Sequence, residues 1–67
     1  MLNTIGYNLR LLRFKHNFTL AQVAQAIDIS VNTLSRYENN ERFPQKEIIL
    51  KLADFYDVKV EYILIGD

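Results

Sequence analysis

Residues 31 to 36 read Val31-Asn32-Thr33-Leu34-Ser35-Arg36, and all but Leu34 carry groups that can meet the edges of nucleic-acid bases. Asn32 can bond adenine bidentately, Arg36 can bond guanine, and Val31 or Thr33 can touch a thymine methyl. Wound as a helix, the run turns Leu34 and Tyr37 inward and leaves a short polar face with few acids. Covalent chemistry lacks its parts. The chain has one His and no Cys, and neither a pair of carboxylates in a cleft nor a glycine loop to cradle phosphate is visible. An enzyme is therefore not expected, nor a metal or other cofactor.

The elements around that run must position it. Ser30 is an N-cap that opens the helix, which continues to about Glu38. Before it, Thr19 caps another short helix with Val23, Ala24 and Ile27 facing inward, and the tight link Ile27-Asp28-Ile29-Ser30 joins the two. Ala24 is small where the two helices would cross. This spacing is that of a helix-turn-helix, though an ordinary helical hairpin with a solvated face would show it too. Upstream, residues 3 to 16 carry Ile5, Leu9 and Leu12 at helical spacing, with His16 continuing the inward face and Asn17 closing the helix. Asn39 to Pro44 reads as a loop. A fourth helix starts near Gln45, with Ile49, Leu52, Ala53 and Tyr56 on one face, and a last one spans Val60 to Leu64 around Ile63. Tyr37, Phe43 and Tyr56 are taken as core aromatics. Five short helices without a strand pattern make an all-α bundle, one domain over 1–67.

Size and charge bound the partners. Sixty-seven residues allow only a small core, and without cysteine no disulfide reinforces it. No secretory signal or membrane span is expected, so the cytoplasm is the expected location. The formal net charge is zero, which on its face speaks against duplex DNA as a partner. The charges are not evenly spread, however. Residues 1–46 hold six Lys or Arg against three Asp or Glu, a balance of +3, and residues 47–67 hold two against five, a balance of −3. Scatter among sixteen charges could give the same split.

From Ile5 to Leu64 the sequence resembles the lambda-repressor-like (Cro and cI repressor, XRE) helix-turn-helix family of transcription regulators. The resemblance rests on Ile5-Gly6 and Leu9 to Arg13, Thr19 with Val23-Ala24, Ile29 to Glu38, Pro44, and Leu52-Ala53, in that order and spacing. It implies a compact five-helix DNA-binding domain with the helix-turn-helix in helices two and three, acting on double-stranded DNA. Val31, Asn32, Ser35 and Arg36 fall on base-contact positions. Arg10, Arg13, Thr19, Thr33, Asn39, Asn40, Arg42 and Lys46 fall on backbone-contact positions. The same pattern implies a structural ion pair between Arg13 and Glu38. Glycines common in the family at helix ends are replaced by Asn17, Asp28, Asn40 and Asp57, the residue types that best tolerate positive φ.

Members bind pseudo-palindromic operators as dimers, so a homodimer that represses transcription is implied. Leu50, Phe55, Tyr62 and Ile65 are apolar residues of the last two helices that the core pattern does not require, and they are assigned to the dimer interface. Tyr7, Leu11 and Phe14 form a second unassigned apolar stripe, opposite the inward face of the first helix. That stripe motivates an alternative function, a protein-interaction module such as an antitoxin that binds a partner protein and binds DNA for autoregulation.

Overall fold

The computed structural model describes residues 4–66. Five helices follow one another: α1 (Ile5–Lys15), α2 (Leu20–Ala26), α3 (Val31–Glu38), α4 (Lys46–Tyr56) and α5 (Val60–Ile65). The expected start of the first helix at residue 3 lies outside the described residues. The first three helices begin on hydroxyl caps. Thr4 accepts from the Tyr7 N–H and Ser30 from that of Thr33. Thr19 accepts from Gln22 N–H while the Gln22 side chain accepts from the Thr19 N–H, a reciprocal capping box. The helices α4 and α5 lack a side-chain cap but place Glu47 and Glu61 in their first turns, where the helix dipole favours an acid.

Four helices end the same way. Asn17, Asp28, Asn40 and Asp57 take φ of 58°, 63°, 60° and 56°, the left-handed conformation expected of these glycine replacements. The residue after each donates to the carbonyl five positions back: Phe18 to Arg13, Ile29 to Ala24, Glu41 to Arg36 and Val58 to Ala53. This is the Schellman closure, which satisfies carbonyls the helix leaves open and turns the chain sharply.

The core comprises Leu9, Leu12, Val23, Ala24, Ile27, Leu34, Tyr37, Leu52, Ala53, Tyr56 and Ile63, drawn from all five helices or their ends. Ile5 and Ile49 pack half-buried at its edge. Two expected core members are elsewhere. Phe43 is 81% exposed, because it lies in a loop where helical spacing has no meaning and directly precedes Pro44, which holds it in extended backbone. His16 is exposed at the end of α1, although its ring stacks on Phe18 at 5.7 Å.

Polar contacts lock the helices together. Buried Asn8 donates from its side chain to the Ile63 carbonyl at 2.9 Å and ties α1 to α5. Gly6 lets α1 approach the end of α3 so closely that a Cβ there would lie 2.5 Å from the Glu38 carbonyl oxygen and 2.7 Å from that of Tyr37. Burial, reinforced by Glu38 and opposed by Arg13, pushes the Tyr56 phenol from 10 up to about 12. A phenol whose folded value is raised stabilises the fold fully below its unfolded value and loses that contribution as pH rises through the folded one. About 3 kcal/mol is therefore lost from pH 10 to beyond pH 12. Urea unfolding across that range should show the loss in the wild type and a flatter profile in Tyr56→Phe; parallel profiles would contradict it.

Candidate nucleic-acid interface

The helix-turn-helix is assembled as its sequence demands. Ala24 is buried where α2 meets α3, the Ile29 N–H returns to the Ala24 carbonyl, and Leu34 and Tyr37 anchor α3 from below. Val31, Asn32 and Arg36 then face solvent, Ser35 and Thr33 are half-buried, and no acid interrupts the face before Glu38. Thr33 also bonds Ser30, its hydroxyl accepting at 2.8 Å, which holds the first turn of the helix. The outward face thus offers an amide, a guanidinium and an aliphatic side chain on a rigid support.

Beside α3, one carboxylate organises the second group of residues. Glu38 is buried and accepts two bonds from Arg13, Nε to Oε2 at 2.8 Å and Nη2 to Oε1 at 3.0 Å. A third Arg13 donor bonds the Phe18 carbonyl at 3.1 Å. The bond to Glu38 raises the Arg13 pKa against burial, which lowers it. Arg10 lies further out, donating to the Glu38 carbonyl and to Asn39. Asn40 closes the arrangement: its carbonyl oxygen accepts from the Gly6 N–H at 3.1 Å and its amide donates to the Thr4 hydroxyl at 3.0 Å.

Of the residues expected on phosphates, Arg13 bonds Glu38, and exposed Asn40 bonds Gly6 and Thr4 at the start of α1. Arg10 and Asn39 hold each other on the surface. Thr19, Arg42 and Lys46 are exposed, Thr19 at the capped start of α2 and the other two on either side of Pro44. Of the four residues assigned to a dimer surface, Leu50 and Ile65 are exposed. Phe55 and Tyr62 are half-buried against the core, because the Phe55 ring packs between Phe18 at 5.3 Å and Tyr56 at 5.0 Å. Three contributors had gone unassigned: Asn8, Gln22 and Gly6 in its packing role. Gln22 carried a readable signal, since Thr19-Leu20-Ala21-Gln22 matches the capping-box spacing.

A family model described as helix-turn-helix matches residues 9–63, which contain the whole two-helix unit and the helices that support it. The chain belongs to this family, the lambda-repressor-like helix-turn-helix regulators. The family consists of DNA-binding transcriptional regulators and not of enzymes. Among curated relatives, the HTH-type transcriptional regulator ImmR of Bacillus subtilis (strain 168) is 34% identical over 61 residues, covering 91% of this chain and 48% of ImmR. The uncharacterised HTH-type regulator YobD of the same organism is 39% identical over 56 residues, covering 84% of this chain and 50% of YobD. This helix-turn-helix chain therefore spans about half the length of the curated relatives it matches. In three dimensions it is similar to the P22 c2 repressor protein, solved in complex with synthetic operator 9T in the presence of Tl+, with a TM-score of 0.91 and 26% identity over 97% of this chain and 98% of that one. A transcriptional regulator from Listeria innocua shares the helix-turn-helix fold at 20% identity, with a TM-score of 0.86 over 96% of this chain and 60% of that one.

Proposed function

We propose that the domain represses transcription by binding a pseudo-palindromic operator as a dimer, in the cytoplasm, with α3 in the major groove. The observation that carries this reading is the acid-free outward face of α3, where Val31, Asn32 and Arg36 stand exposed on a helix anchored by Leu34 and Tyr37. Val31, Asn32, Ser35 and Arg36 read bases. Arg10, Thr19, Thr33, Asn39, Arg42 and Lys46 hold the backbone on either side. Reaching both half-sites of such an operator takes a second subunit. The domain measures 29 × 24 × 22 Å, whereas successive major grooves on one DNA face lie about 34 Å apart. Exposed Leu50 and Ile65, flanked by the edges of Phe55 and Tyr62, supply the apolar surface for an isologous contact.

The reading makes a quantitative expectation. With Arg13 withdrawn into the domain, about three cations per subunit reach phosphates, so log affinity should fall against log salt with a slope of about −5 per dimer. Arg36→Ala should lose about 1–3 kcal/mol at one base pair and relax choice there, while Arg42→Ala should weaken every duplex alike. Selection of duplexes from a random pool, followed by salt titration of the winner, measures all three. Equal losses for Arg36→Ala on all sequences, or affinity indifferent to salt, would remove the proposal. The exposed stripe of Tyr7, Leu11 and Phe14 favours a second reading, in which the domain also holds a partner protein as an antitoxin does.

A further inference from the structure

Tyr7, Leu11 and Phe14 are 51%, 44% and 57% exposed. On α1 they fall within about 60° of arc, roughly opposite buried Leu9 and Leu12, and so form one straight row along the helix. The row is not a spill-over from the core, because the sides of α1 are already taken: Gly6 and Arg13 meet α3, and Asn8 meets α5. At its far end the row runs into an open groove of about 470 Å3, lined by Arg13, Phe14, Asn17, Phe18, Thr19 and Leu20. The guanidinium carbon of Arg13 sits 4.9 Å from the centre of the Phe14 ring and steadies that ring at the groove mouth.

Charge distinguishes the occupants. Arg10 and Lys15 flank the row, and residues 1–27 contain three cations and no Asp or Glu. Two copies pairing row to row would therefore set Arg10 and Lys15 of one against those of the other, a like-charge contact that opposes association. An acidic partner meets no such opposition. A straight row of apolar anchors at i, i+4 and i+7 matches the ridge of another helix laid beside it. We propose that this face of α1 docks an amphipathic helix of a partner protein, with apolar anchors along its centre and Asp or Glu on both flanks that pair with Arg10 and Lys15. The inference rests on the second reading, that the domain holds a protein, and shares only Arg10 with the DNA reading.

The test uses the whole chain and a fluorescein-labelled helical peptide with Leu at i, i+4 and i+7 and Glu on both flanks, against the same peptide with Lys in place of Glu. Anisotropy should show the Glu peptide binding at least about tenfold tighter at low salt, with the preference shrinking as salt is raised. Leu11→Ser combined with Phe14→Ser should abolish that binding while duplex binding and the helical circular dichroism stay as in the wild type. Lys15→Glu should narrow or reverse the preference between the peptides. Equal binding of both peptides, or full binding by the double Ser variant, would overturn the acidic-helix assignment. So would self-association that the double variant removes, or tighter capture by anionic lipid vesicles than by the Glu peptide. If neither peptide binds, the second reading itself falls, and the duplex measurements are untouched by any of these results.

Discussion

Glu38→Ala should remove about 3–5 kcal/mol from the free energy of unfolding, most of what a domain this small possesses. The carboxylate is buried and is the acceptor for two of the three Arg13 hydrogen bonds. Its removal leaves the largely buried Arg13 guanidinium without the carboxylate that neutralises it. The single variant Glu38→Leu, which strands the same charge, should be the most damaging member of a cycle with Arg13→Met and the double Glu38→Leu, Arg13→Met. The double variant should recover part of the loss, since two apolar side chains that pack together leave no stranded charge. Chemical denaturation of the four proteins measures the coupling. Strict additivity, with the double variant losing the sum of the singles, would show that the pair acts only by filling space.

The second large effect is expected where almost no side chain exists. Gly6→Ala adds one methyl that would lie 2.5 Å from the Glu38 carbonyl oxygen, 2.7 Å from the Tyr37 carbonyl oxygen and 2.8 Å from the Asn40 side-chain oxygen. Two of these neighbours are backbone, so relief requires moving α1 as a body, and that displacement stretches the Gly6 to Asn40 bond. Helix propensity acts the other way by about 0.5–1 kcal/mol, since Ala suits a helix better than Gly. Overpacking at a contact this close outweighs it, and a net destabilisation of about 2–3 kcal/mol is expected. Urea unfolding of the variant decides the sign. A stabilised Gly6→Ala would mean that the two helices are free to separate slightly at no cost.

The parts of the fold that could be read from sequence share one property: they are local. Ser30 and Thr19 are hydroxyl residues placed ahead of apolar runs, and both cap helices. Asn17, Asp28, Asn40 and Asp57 are of the types that best tolerate positive φ, and all four adopt left-handed backbone. Leu34, Leu52 and Ile63 follow helical spacing into the core. What escaped the reading depends on residues distant in the chain. Asn8 looks like a surface residue until α5 brings the Ile63 carbonyl to it, 55 positions away. The bonds of Asn40 to Gly6 and Thr4 likewise span 34 and 36 positions. Phe43 is aromatic and so looks like core, but it lies in the loop before α4, where no neighbouring helix covers it. For the candidate interface the same division holds. The outward side chains of α3 follow from helical geometry, whereas the bonds that hold Arg13 and Asn40 follow from how α1 packs.

Asn40 has a consequence for the energetics of recognition. A glycine at this position would make the same turn, but it could not bond Gly6 and Thr4. With asparagine, the segment after α3 is tied to α1 through its side chain and to α3 through the Glu41 to Arg36 bond. Its conformational entropy is surrendered during folding rather than at the encounter with a ligand. Association then resembles the meeting of two shaped solids. The heat-capacity change should reflect the surface that is covered, with little added for ordering of the chain.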